Sequence, residues 1–173
     1  DQIGPDLVAH RGQSGTVFTH DDLLALAEFA HRHGLTVVSD EIWADLVLDG
    51  LPHVPFAALD HPAARKCVTL VAPSKTWNLA GLACAAAILP DATWRKRWRA
   101  AGGGLVPMVN PLGYAAAEAA WLHGDPWRRG LVELLARHRD RALEVVAAIP
   151  GLSATRPQAT YLLWIDCRQG SPW

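Results

Sequence analysis

One passage constrains the fold more than any other. Leu23, Leu26, Ala27 and Ala30 fall at i, i+3, i+4 and i+7, so a helix reaching to about His33 has one apolar face. Thr19 stands as its N-cap, and Asp21 and Asp22 fill the first turn, where the helix dipole favours acids. Gly34 closes it. Residues 35–38 then form an unbroken apolar run that ends on Ser39-Asp40-Glu41, and a similar run at 6–9 precedes the helix. Apolar strands without alternation are covered on both faces, so the passage predicts a strand–helix–strand unit of a mainly parallel sheet flanked by helices. The expected fold class is α/β.

The remaining pattern extends this unit. A short helix or turn is expected over 42–48 and an irregular stretch over 50–62, which holds three prolines and two histidines. Strands are expected at 68–71 and 82–89, then a basic helix over 91–101, a glycine-rich connector over 102–110 and an Ala-rich helix over 112–123. A long helix over 126–148 carries Leu131, Leu135, Ala142 and Val146 near its apolar stripe. Two strands of a different sheet follow at 152–155 and 160–165. The change in pattern predicts two domains, 1–125 and 126–173, the second beginning a small α+β domain.

Charge and composition exclude several classes. Sixteen basic residues nearly balance 17 acidic ones, for a net charge of −1, which argues against a nucleic-acid partner held by bulk charge. Half the residues are hydrophobic and 19% are charged, which excludes global disorder. No apolar run is long enough to span a membrane. Cys67, Cys84 and Cys167 sit among apolar neighbours without paired spacing, so they read as reduced core residues of a cytoplasmic protein. The eight histidines lack ligand spacing; His31 and His33 point to different helix faces, and no metal site is expected. Trp94-Arg95-Lys96-Arg97-Trp98-Arg99 reads as a solvated helix face. Both ends of the chain look like cuts.

Ligands of open α/β sheets bind beyond the carboxyl ends of the strands. Asp40 follows one expected strand and Lys75 follows another by a few residues. Alone, each reads as a cap or a turn residue. As a pair in one α/β unit they read as chemistry.

The surrounding motifs are Ser39-Asp40-Glu41-Ile42-Trp43-Ala44-Asp45, His53-Val54-Pro55-Phe56-Ala57 and Ala72-Pro73-Ser74-Lys75-Thr76-Trp77-Asn78-Leu79-Ala80-Gly81-Leu82. Together they resemble the core of the fold-type I pyridoxal-phosphate enzymes of the class I/II aminotransferase superfamily, and within it the cystathionine β-lyase-like C–S lyases. Gly15-Thr16-Val17-Phe18-Thr19 and 159–166 resemble flanking parts of the same family, so the likeness runs over nearly the whole chain, as the middle of a longer family pattern.

The resemblance implies a cofactor and roles. Lys75 would hold pyridoxal 5'-phosphate through its amine and then act as the base at the substrate Cα. Asp40 would pair with the pyridine nitrogen and keep it protonated. Ser74 would donate to the phosphate, Trp43 would line the cofactor site and Asn78 the substrate site. Gly12 and Gln13 fall on the family's Asn-Pro-x-Asn-Pro-Thr-Gly loop: its second asparagine becomes Gly12, and Gln13 is the candidate substitute. The family usually has Tyr or His at Trp43, and an indole donates but cannot relay a proton. Aminotransferases usually carry an arginine eight positions after the lysine, where this chain has Ala83, which favours the lyase branch. Arg156 and Arg168 lie outside the family's substrate-carboxylate motif.

The activity implied is β-elimination of a cysteine S-conjugate or cystathionine, a small amino-acid substrate, to thiol, pyruvate and ammonia, in a homodimer. Rival readings are an aminotransferase, a C–S lyase domain excised from a polyketide-type assembly line, and a non-catalytic binding or regulatory module, the last motivated by Gly12.

Overall fold

In the computed structural model, which describes the backbone of residues 6–8 and all of residues 15–170, the chain forms two compact units. The first takes in 6–8, 18–42 and 54–124; the second takes in 15–17, 43–53 and 125–170.

In the first unit the helix signalled by Thr19 is α1, His20–Arg32. Its capping box is complete: the Asp22 amide donates to Thr19 Oγ1 at 3.2 Å and the Thr19 amide donates to Asp22 Oδ2 at 2.9 Å. Hydrogen bonds from the Thr19 side chain and backbone hold the Asp22 carboxyl below its ordinary pKa. Gly34 takes φ 64°, and the next amide, Leu35, bonds back to Ala30 O at 2.8 Å. α1 thus connects β1, Asp6–Val8, to β2, Thr36–Asp40. With β3, Val68–Val71, and β4, Ala86–Ile88, these strands form one sheet in the order β1-β2-β3-β4. The first three run parallel and β4 runs antiparallel to β3, so the sheet is mainly parallel as expected.

The strand expected over 82–89 is shorter. Ala80–Leu82 is a 3₁₀ turn and Ala83 is left-handed at φ 49°, so extended pairing begins only at Ala86. β2 and β3 are joined by an irregular segment with three 3₁₀ turns, Ala44–Leu46 in the second unit and Phe56–Ala58 and Pro62–Lys66 in the first. That segment closes the core. Leu23, Ala27 and Ala30 of α1 meet Val37 of β2 and Phe56, Leu59, Ala63, Ala64 and Cys67. Cys67 is buried, whereas Cys84 is half-buried and Cys167 exposed, so only one of the three cysteines is a core residue. α2, Ala92–Gly102, buries none of its residues, in keeping with a solvated basic helix. α3, Pro111–His123, starts at Asn110, whose Oδ1 accepts from the Gly113 amide at 2.8 Å.

The second unit is built on α4, Asp125–Ala147. Asp49 and Gly50 are both left-handed, at φ 59° and 70°, and the Leu51 amide closes the turn onto Leu48 O. On one side of that turn the Leu48 amide bonds Gln158 O at 2.7 Å and the Thr160 amide bonds Leu46 O at 2.9 Å. The strands expected at 152–155 and 160–165 are reduced to β5, Ser153–Ala154, and β6, Ile165–Asp166. Residues 158–160 are already paired with 46–48, and Thr160 turns left-handed at φ 72°, which breaks the longer strand. Buried Arg139 organises this unit: its guanidinium bonds both Asp49 oxygens at 2.6 and 2.9 Å, Asp140 Oδ1 at 2.8 Å and Pro157 O at 3.2 Å. Arg156 adds an ion pair to Asp140 at 2.8 Å. Among the described residues no helix is long and apolar enough to cross a membrane.

Two consequences are measurable. Phe56 is 1% exposed, so Phe56→Ala should cost about 3–5 kcal/mol, read as a lower urea midpoint at an unchanged m-value. Hydrogen bonds from Arg139 hold the Asp49 and Asp140 carboxyls below their ordinary values. Depressed folded-state pKa values stabilise the fold above the ordinary carboxylate value of about 3.9, and the contribution disappears as pH falls through the lower folded values. Acid unfolding followed by circular dichroism should therefore become less steep in Arg139→Met, on top of a lower stability at neutral pH.

Candidate active site

The site begins with strand register. β2 and β3 are adjacent and parallel, with Asp40 opposite Leu70. The Glu41 amide continues the ladder by donating to Leu70 O at 2.9 Å. Asp40 therefore ends β2 at the level where β3 runs out toward Lys75, and both residues lie off the carboxyl edge of one sheet, where ligands of such sheets bind. The Asp40 side chain is exposed, and its Oδ1 accepts from the Ile42 amide at 3.2 Å. It caps the strand end and still presents Oδ2, which no hydrogen bond engages among the described residues.

Lys75 is carried on a compact turn. The Trp77 amide bonds Pro73 O at 3.0 Å and the Leu79 amide bonds Ser74 O at 3.1 Å. Pro73 and Thr76 are fully buried, Ser74 and Lys75 are half-buried and Asn78 is exposed in the left-handed region at φ 56°. Two buried anchors thus present a hydroxyl, an amine and an amide from one turn. Thr76 Oγ1 is buried without a hydrogen-bond partner, an uncommon state for a hydroxyl in a folded interior.

α3 clamps this turn from both ends. Trp77 Nε1 donates to Gly124 O at 3.0 Å, and Asn110 Nδ2 donates to Leu82 O at 3.1 Å. Glycine at 113 and 124 makes the approach possible: a Cβ at 113 would stand 2.7 Å from Leu82 O, and one at 124 would strike the Trp77 indole. Sequence reading missed this clamp. Asn110-Pro111 is a legible helix start, but its partner Leu82 is 28 residues away. Glu41 was also read only as part of a motif. Its Oε1 accepts from Ser39 Oγ at 3.0 Å and from the Phe56 amide at 3.1 Å.

Of the residues singled out from sequence, the first unit brings Asp40, Ser74, Lys75 and Asn78 to one sheet edge. Trp43 belongs to the second unit, half-buried, with its ring edge-on to Tyr161 at 4.6 Å between centroids. Gly12 and Gln13 lie outside the described residues. Among the described residues no group of three or more His, Cys, Asp or Glu side chains is arranged to hold a metal ion.

The comparisons agree with this geometry. Residues 13–171 match the family Aminotransferase class I and II. The chain is 40% identical over 160 residues to the cystathionine beta-lyase PatB of Bacillus subtilis, covering 88% of this chain and 40% of that protein. Among solved structures it superposes on OvoB with a TM-score of 0.87 at 44% identity, covering 90% of this chain and 41% of that one. It superposes on cystalysin from Treponema denticola, whose crystal structure contains a pyridoxal 5'-phosphate cofactor, with a TM-score of 0.83 at 28% identity over 88% of this chain and 39% of that one. The chain thus spans about 40% of the length of the curated relative it matches.

Because Gly113 meets backbone rather than a flexible side chain, Gly113→Ala should displace the 3₁₀ turn Ala80–Leu82 that follows the lysine turn, at a cost of roughly 1–3 kcal/mol, seen as a lower Tm than that of Gly130→Ala, where no atom lies in the way.

Proposed function

Since the chain belongs to the class I and II aminotransferase family, we propose that it carries the lysine and the carboxylate of a pyridoxal-phosphate-dependent C–S β-lyase. The observation that carries this reading is the parallel pairing of β2 with β3: β2 ends on Asp40, and β3 leads at the same edge into the turn that carries Lys75. Likeness to cystathionine beta-lyases supports the reaction class.

The donor set fits the cofactor. It offers an amine on a hydrogen-bonded turn, the Ser74 hydroxyl on the preceding residue and, among the described residues, a carboxylate whose Oδ2 no hydrogen bond engages and the buried Thr76 hydroxyl without a partner. When bound, pyridoxal phosphate supplies an aldehyde that a lysine can capture and a ring that accepts the electron pair left at Cα. Lys75 Nζ would hold that aldehyde and, when freed from it, would serve as the base for the Cα proton. The Asp40 carboxylate would pair with the ring nitrogen and favour its protonated form. Ser74 Oγ would donate to the phosphate and Asn78 would serve the substrate; Trp43, Gly12 and Gln13 are the remaining candidates for holding the cofactor. The substrate is a cysteine S-conjugate or cystathionine. With water, it yields thiol, pyruvate and ammonia. Ala83, where transaminases usually carry an arginine, supports elimination over amino-group transfer.

Residues 1–125 then form the partial cofactor domain and 126–173 the start of the small one, in a homodimer. Three cysteines outside any disulfide support a cytoplasmic setting. With pyridoxal phosphate added, borohydride should fix the cofactor covalently on the peptide holding Lys75, and Lys75→Ala should show no visible band and no pyruvate from cystathionine. A band that survives Lys75→Ala, or loaded protein that forms the pyridoxamine cofactor without pyruvate, refutes the lyase assignment.

A further inference from the structure

Asp40 is only as well placed as the strand end that carries it. Among the described residues its own side chain accepts one hydrogen bond, of 3.2 Å, from the Ile42 amide. The firmer anchor lies on the next residue. Successive strand side chains point to opposite faces, so Glu41 turns away from Asp40 while Ser39 shares its side. One Glu41 oxygen, Oε1, receives both the Ser39 hydroxyl at 3.0 Å and the Phe56 amide at 3.1 Å. Phe56 is embedded in the core at 1% exposure, and the Glu41 amide is bonded to Leu70 of β3. Glu41 therefore adds a tie between three parts: the core anchor Phe56, the end of strand β2, and the neighbouring strand that leads to Lys75. Bonds to an ionised acceptor are the stronger kind, and without the carboxylate the partly buried Phe56 amide loses its acceptor.

We propose that Glu41 is the positioning residue for Asp40, holding the end of β2 in place before any ligand arrives so that the Asp40 carboxylate needs no rearrangement to meet the cofactor ring. The inference rests on the assignment of Asp40 under the proposed function. It is a preorganisation device: rigid supports outside the contact shell fix the orientation of the group that makes contact.

The test compares Glu41→Ala with Glu41→Gln, whose amide oxygen still accepts both hydrogen bonds. In cofactor-free protein, amide hydrogen exchange should accelerate about tenfold or more at both Phe56 and Ile42 in Glu41→Ala, the scale of one lost hydrogen bond, and return toward wild type in Glu41→Gln. In cofactor-loaded protein, the pH midpoint of the bound cofactor's absorption should shift in Glu41→Ala in the same direction as in Asp40→Asn, and Glu41→Gln should restore it. Faster exchange at Phe56 alone, with Ile42 and the absorption titration unchanged, overturns the proposal by making Glu41 a purely structural cap. Wild-type protein that takes up no cofactor on Lys75 overturns the functional reading and takes this role with it. If Glu41→Ala does not fold, Ser39→Ala removes one donor to the same oxygen and should move both readouts the same way by a smaller amount; no movement in either overturns the proposal.

Discussion

The parallel pairing of β2 with β3 governs the rest of the molecule. Parallel neighbours end on the same side of a sheet, so whatever follows each strand is delivered to one edge. Here one strand ends on Asp40 and the other leads into the turn that carries Lys75. An antiparallel pair would put these residues at opposite ends. Parallel pairing also requires a crossover, and α1 and the irregular segment before β3 bury their apolar residues against β2 as they provide it. Core formation and site formation are thus one event.

Holding a lysine and an aspartate in place takes scaffolding that makes no ligand contact itself. The lysine turn is anchored by two buried residues and gripped by α3 through Trp77 and Asn110, with glycines where the backbones come close. The aspartate is backed by Glu41 and its bonds to Ser39 and Phe56. The second unit has its own internal support. There Arg139 is buried but answered by Asp49, Asp140 and a backbone carbonyl, so its charge is compensated where it lies.

Local signals were the most legible. Thr19, the acids Asp21 and Asp22 and the apolar stripe of α1 each act within a turn or two, and they mark a helix whose bounds follow closely. Asp40 and Lys75 stood out because each follows an apolar run and because their motifs resemble one family. The strand expected at 160–165 was misjudged because its start pairs with residues more than a hundred positions earlier, and no window along the chain contains that contact. Glu41 escaped for a similar reason: a glutamate after a strand looks like surface charge until Phe56 is seen to reach it.

What the sequence determined by itself was the order of elements, the α/β class, and the residue types able to hold a cofactor. Periodicity, caps and short motifs carry that information locally, and family likeness supports the reaction proposed for them. The tertiary structure decided which carboxylates support others and which face outward, which glycines are needed for close approach, and which apparent strand is spent on another partner. Those outcomes depend on hydrogen bonds and steric contacts between residues 15 to more than 100 positions apart. Such contacts exist only once the chain has folded.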